Sequence, residues 1–140
     1  MRTTEVRLED VQAAADMIPE DVPFFMLILL RFREHADYGD SMDVAPSSGR
    51  EVYHGRYVPA FGQIAAQVGA EGIQFSWVGS VLARVVGPAE ERWDEMAIVE
   101  YPSFAAFRRV TESPEYEAQA APHRMAALED LRLIAMAKVS

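Results

Sequence analysis

The chain has 140 residues, half of them hydrophobic and a quarter charged, the balance of one globular domain with its own core rather than of a disordered segment. A net charge of −9 and a pI near 4.7 argue against nucleic acid and against anionic membrane surfaces, since both need clustered Lys and Arg. No cysteine is present, which excludes disulfide and thiolate chemistry and makes a reducing cytoplasm the simplest compartment.

Residues 2–17 begin with Thr3 and Thr4 as candidate caps, and Leu8, Val11, Ala15 and Ile18 then recur at helical spacing until Pro19 and Pro23. This helix reads as an N-terminal extension over residues 1–22, laid on a body spanning 23–140. Phe24 to Leu30 is the longest apolar run, far short of the roughly 18 residues of a membrane helix. Glu20 and Asp21 precede it, the wrong charge for a signal peptide, so a soluble, unprocessed chain is expected. Pro23 and the charged exit at Arg31 and Arg33 mark the run as a strand apolar on both sides, which must be covered on both.

Glu34 to Ser48 is a polar connection. Loops of about 12 to 15 residues are unusual in a compact domain, and a lid and a plain surface loop are both open readings. Ser48 and Glu51 fit a capping box. The helix behind it would bury Tyr53, Tyr57, Phe61, Ile64 and Val68, kink at Pro59, and end at Gly69 and Gly72. A long strand is expected from Ile73 to Val86, with Phe75, Trp77 and Val81 on one face and a bulge at Gly79. A hairpin connects it to Trp93–Tyr101. Ser103 caps the next helix, Ser113 and Pro114 restart it, Pro122 interrupts it, and Leu131 to Val139 is the last strand.

This β-α-β-β-α-β order predicts a four-stranded antiparallel sheet with both helices on one face and the first and third strands central. The other face would then expose large apolar side chains. A second copy, packed sheet to sheet across a two-fold axis, is the expected cover, so a homodimer is expected.

Glu100-Tyr101-Pro102-Ser103-Phe104, followed by Ser113-Pro114-Glu115-Tyr116, resembles the uncharacterised bacterial proteins grouped as domain of unknown function 1330; Met26 to Phe32 and Ser48 to Tyr53 agree with a branch of that group. The likeness covers the chain from about Pro23 onward. It implies an α+β, ferredoxin-like fold of the dimeric α+β barrel superfamily, and no activity. Catalytic motifs of the wider superfamily, which includes cofactor-free monooxygenases and isomerases, have no match here.

Candidate chemistry is sparse. His35, His54 and His123 lack the close spacing of a metal motif, and no metal or other cofactor is expected. Arg50, His54 and Tyr57 share one helical face, on which His54 could be a general base while Tyr57 or Arg50 holds an oxyanion. The competing reading is an ordinary amphipathic helix with Tyr57 in the core. Glu100 shares a strand face with Met96 and Ile98 and would be paired, with Arg84 or Arg124, or perturbed. Its competitor is an edge-of-core salt bridge. Trp77, Phe75 and Tyr101 could line an apolar pocket, with His123 and Arg124 nearby and Asp37, Tyr38 and Asp40 as a gate. Aromatics in strands are also plain core. The catalytic candidates are therefore His54, Tyr57 and Glu100, and the ligand-binding candidates are Arg50, Trp77, Tyr101, His123 and Arg124. Two functions follow: a module binding a small apolar or aromatic metabolite, or a cofactor-independent monooxygenase or isomerase using His54.

Overall fold

The computed structural model describes residues 3–39 and 47–139. In chain order these form α1 (Leu8–Ala15), β1 (Phe24–Phe32), α2 (Gly49–Val52), a π-helical turn (Tyr53–Tyr57), α3 (Val58–Gln67), β2 (Gln74–Ser80) and β3 (Glu95–Tyr101), then α4 (Phe104–Thr111), α5 (Pro114–Gln119), α6 (Ala121–Ala127) and β4 (Leu128–Met136). The strands pair antiparallel in the order β2-β3-β1-β4. This is the α+β, ferredoxin-like arrangement, with β1 and β3 central as the apolar density of their sequences implies. The sheet of one chain is open and not a closed barrel.

Although β1 is apolar apart from Arg31, its burial alternates: Phe24, Met26, Ile28, Leu30 and Phe32 are buried under the helices, and the intervening residues are half-buried. Strand geometry sends successive side chains to opposite faces, so a run with no polar pattern still has two sides. Leu30, Ile64, Leu128, Val52 and Val110 are fully buried, each such side chain contributing about 1.5–3 kcal/mol through its removal from water. The opposite face carries Phe25, Leu27 and Leu29 beside Met96, Ile98 and Ile134, with no helix of the described residues over it.

Local chemistry explains most boundaries. Ser48 and Glu51 form the capping box, and Ser103 and Ser113 each accept from the backbone amide three residues on. Pro59 does not kink its helix in the simple way expected. The chain widens into the π turn just before it, where Val58 N–H bonds the Tyr53 carbonyl. The missing Pro59 N–H then falls in the first turn of α3, where no intrahelical partner is needed. Pro122 acts likewise, and the helix breaks at Ala120 between α5 and α6.

Four expectations are corrected. Thr3 and Thr4 do not cap α1, whose N-cap is Arg7. Thr3 instead joins the β4 side, its N–H donating to Asp130 Oδ1 at 2.9 Å and its carbonyl accepting from Leu131. The second strand stops at Ser80 instead of Val86, because β3 starts only at Glu95. Asp94, the residue before it, turns to β1, its carboxylate accepting from Phe32 N–H. The last strand runs Leu128–Met136 rather than from Leu131, because α6 passes straight into it. The bulge of β2 falls between Phe75 and Trp77, not at Gly79, and puts those two rings on opposite faces. The connection 34–48 is described only in part; Asp40 and Pro46 lie outside the described residues.

Candidate functional site

A cavity of about 400 Å³ lies between the covered face of the sheet and the helices α3, α5 and α6 with the π turn. Met26 and Ile28 of β1, Val99 and Tyr101 of β3, and Leu131 and Leu133 of β4 form its floor. Tyr53, Tyr57, Phe61 and Ala65 form its roof, and Tyr116 and Arg124 close one side. Gly62, Ala66, Gly72 and Phe75 line it and are exposed, which places its mouth between α3 and β2. Val6, from the segment before α1, also lines it. A concave apolar site of this size with a few polar groups has the form of a small-molecule pocket.

The π turn creates this roof. The added residue in one turn rotates Tyr53 and Tyr57 inward together, their rings stacked with centroids 5.0 Å apart. Tyr57 Oη lies 2.8 Å from Tyr116 Oη, and Arg124 Nη1 donates to that same Tyr116 oxygen. The break at Ala120 turns α6 so that Arg124 reaches back to Tyr116. Arg124 is only 7% exposed, is the sole charged residue lining the cavity among the described residues, and its Nε has no hydrogen-bond partner there. Burial, with the neighbouring Tyr116 and Tyr53, pushes the Tyr57 phenol well above its ordinary pKa, and burial likewise raises Tyr53 and Tyr101. These hydroxyls stay protonated at neutral pH and are hydrogen-bond donors.

Of the sequence candidates, the structure brings Tyr57, Tyr101 and Arg124 to this cavity. The others fall elsewhere. His54 points away, with Nε2 2.8 Å from Glu95 Oε2, and Arg50 joins the same carboxylate at 3.1 Å while lying over the Phe32 ring. Glu95 is 4% exposed and holds this cluster at one end of the sheet. Glu100 sits on the helix-free face with Met96 and Ile98, opposite the first helix, and pairs with neither Arg84 nor Arg124 among the described residues. Trp77, 58% exposed, is on that same face because of the bulge at Ser76, and lies across Gly79. His123 binds the loop: its Nδ1 is 2.6 Å from the Tyr38 hydroxyl, to which Arg56 also donates. Burial, then Arg56, lowers the His123 pKa. Neither Asp37 nor Tyr38 lines the cavity.

Tyr116 was not expected in a site. Its only sequence signal is the Ser-Pro-Glu-Tyr cap that starts α5, and nothing in the spacing shows that Arg124 folds back onto it. Tyr53 was legible as core and Glu95 not at all, since an acidic residue at a strand start reads as exposed. Among the described residues no group of His, Asp and Glu could hold a metal ion, and no helix is long and apolar enough to cross a membrane.

The solved structure of RPA0582, a protein of unknown function from Rhodopseudomonas palustris, is 31% identical to this chain, covers 100% of it and 99% of its own length, and superposes with a TM-score of 0.82. The chain belongs to the RPA0582 family. A second structure, of methylated RPA0582, is 32% identical over 99% of this chain and 96% of its own, with a TM-score of 0.79. No protein-family model and no curated protein matches the chain, so the likeness to domain of unknown function 1330 rests on the sequence motifs alone. A dimeric protein of unknown function and ferredoxin-like fold from Bacteroides fragilis, 15% identical over 84% of this chain and 97% of its own, has a TM-score of 0.43, too low to bear on fold or assembly.

Proposed function

We propose that this protein binds a small apolar or aromatic molecule in the cavity under α3, and does so as a homodimer joined through the helix-free face of its sheet. The single observation that carries the binding reading is the cavity itself: about 400 Å³, roofed by stacked tyrosines and open at one edge. Close packing leaves few voids larger than a water molecule in an ordinary core, so a space of this size calls for an occupant. The dimer reading is supported by Phe25, Leu27, Leu29, Met96, Ile98, Trp77 and Ile134, an apolar surface that no part of the described chain covers. A cytoplasmic setting agrees with the lack of cysteine, and membership of domain of unknown function 1330 agrees with the Tyr-Pro-Ser-Phe and Ser-Pro-Glu-Tyr motifs.

The alternative, a cofactor-independent monooxygenase or isomerase with His54 as acid or base, has no comparable support. His54 is engaged by Glu95 and does not line the cavity, and His54, Glu100 and His123 do not converge. Calorimetric titration with phenylbutyrate tests the binding reading. The wild type is expected to bind, and Ala65→Phe, which puts a ring into the cavity, to fold but not bind. Equal binding by both chains contradicts it.

A further inference from the structure

We infer that the molecule held in the cavity is anionic at one end, a small apolar carboxylate whose head group sits against Arg124 and the tyrosine hydroxyls. This rests on the cavity being a ligand site, and it follows from counting charges, donors and acceptors around it.

The first count is of charge. Arg124 is 7% exposed, yet no carboxylate pairs with it among the described residues, and none lines the cavity. Its contacts are Nη1 to the Tyr116 hydroxyl, Nη2 to Met125 Sδ at 4.0 Å, and the face of the Tyr116 ring at 5.5 Å; Nε has none. A guanidinium stays charged in proteins, and burying one without an anion is costly. The other buried charges among the described residues obey that rule: Glu95 is held by His54 and Arg50, and Asp130 by Arg132. Arg124 alone of the three has no opposite charge.

The second count is of protons. Tyr116 Oη accepts from Arg124, and a single hydrogen bond joins it to Tyr57 Oη. Two hydroxyl protons share that one bond, so one of them has no acceptor in the described chain. Whichever of the two donates, the proton left over belongs to Tyr57 or Tyr116, and both line the cavity. Each bond in such a chain polarises the next, which makes the last hydroxyl a stronger donor. The hydroxyls of Tyr53 and Tyr101, also lining the cavity, have no hydrogen-bond partner among the described residues. The wall is thus rich in donors and positively charged, and the remaining side chains are hydrocarbon apart from Thr111, whose hydroxyl proton is spent on the Phe107 carbonyl. A carboxylate, with about four acceptor sites, complements the one part. An apolar or aromatic tail complements the other.

Phenylbutyrate and its amide, phenylbutyramide, distinguish charge from shape. Both are titrated calorimetrically into the wild type, Arg124→Met and Tyr57→Phe, with circular dichroism as the check on folding. The wild type is expected to prefer the carboxylate by about tenfold to a hundredfold, the range of hydrogen bonds to a charged group. Arg124→Met is expected to erase that preference while still binding the amide. Should Arg124→Met not fold, Tyr57→Phe carries the test: it is expected to weaken phenylbutyrate by severalfold and the amide by less, because a hydroxyl donates more strongly to a carboxylate than to a neutral carbonyl. Equal weakening of both overturns the anionic head group. Equal affinity of the wild type for both compounds overturns the anionic ligand and leaves the cavity as a neutral site. Failure of both compounds to bind overturns the cavity reading as well.

Discussion

Arg124 donates from Nη1 to the hydroxyl of Tyr116, so a buried guanidinium rests against a phenol instead of a carboxylate. The Tyr57 hydroxyl, 2.8 Å beyond, extends the contact to the roof of the cavity. Three helical segments meet in that chain: the π turn, α5 and α6. Losing its middle member leaves two groups without a partner, and losing its outer member leaves fewer. Tyr116→Phe should therefore lower stability by about 1–3 kcal/mol, the cost of an unsatisfied buried donor, and Tyr57→Phe by about 0.5–1.5 kcal/mol. Urea unfolding measures both. A loss smaller for Tyr116→Phe than for Tyr57→Phe would show that the chain does not hold the helices together.

Alkaline pH should unfold the protein through its buried phenols. Tyr53, Tyr57 and Tyr101 all have pKa values raised by burial, and their unfolded values lie near 10. The folded state holds its protons more tightly, so the stability tied to them is fully present below about pH 10 and is lost as pH rises toward the folded values. Tyrosinate absorbance and circular dichroism, followed together, should change in one cooperative step. Smooth tyrosine titration before any loss of structure would mean that these rings are accessible to solvent.

Two glycines should respond in opposite directions. A Cβ on Gly49 would overlap the backbone carbonyl oxygens of Ala127 and Arg33, where the start of α2 packs on the end of β1. Gly49→Ala should cost about 1–3 kcal/mol or prevent folding, since backbone cannot step aside as a side chain can. A Cβ on Gly62 meets open space within α3, so Gly62→Ala should stabilise by about 0.5–1 kcal/mol. Thermal melts of the two variants beside the wild type decide this.

Light scattering should find a dimer at micromolar concentration, burying about 1,600 Å² or more in total. Leu27→Glu, at the centre of the helix-free face, should give a folded monomer. A monomeric wild type would remove the dimer from the account.

Much of this fold is readable in the residues. Ser48, Ser103 and Ser113 mark three helix starts by the same backbone chemistry, and the dense apolar runs of β1 and β3 place those strands at the centre. Pro59 and Pro122 announce irregularity, but a proline can be met by a kink, a break or a widened turn, and neighbouring packing decides among them. The β2 bulge depends on pairing with β3, so a period of two could not reveal that Trp77 leaves the Phe75 face. The site was legible only in pieces. Tyr57, Tyr101 and Arg124 carry recognisable chemistry, whereas Tyr116 and the separation of His54 and Glu100 from the cavity follow from how α5, α6 and the sheet faces lie in space.

The most direct test of the cavity as a ligand site is the spectrum of isotope-labelled methionine methyls during titration with phenylbutyrate. Met26 lies on the cavity floor, and Met96 on the opposite face of the sheet. The Met26 resonance should shift saturably while that of Met96 holds still. Saturable shifts at Met96 with none at Met26 would contradict the proposal.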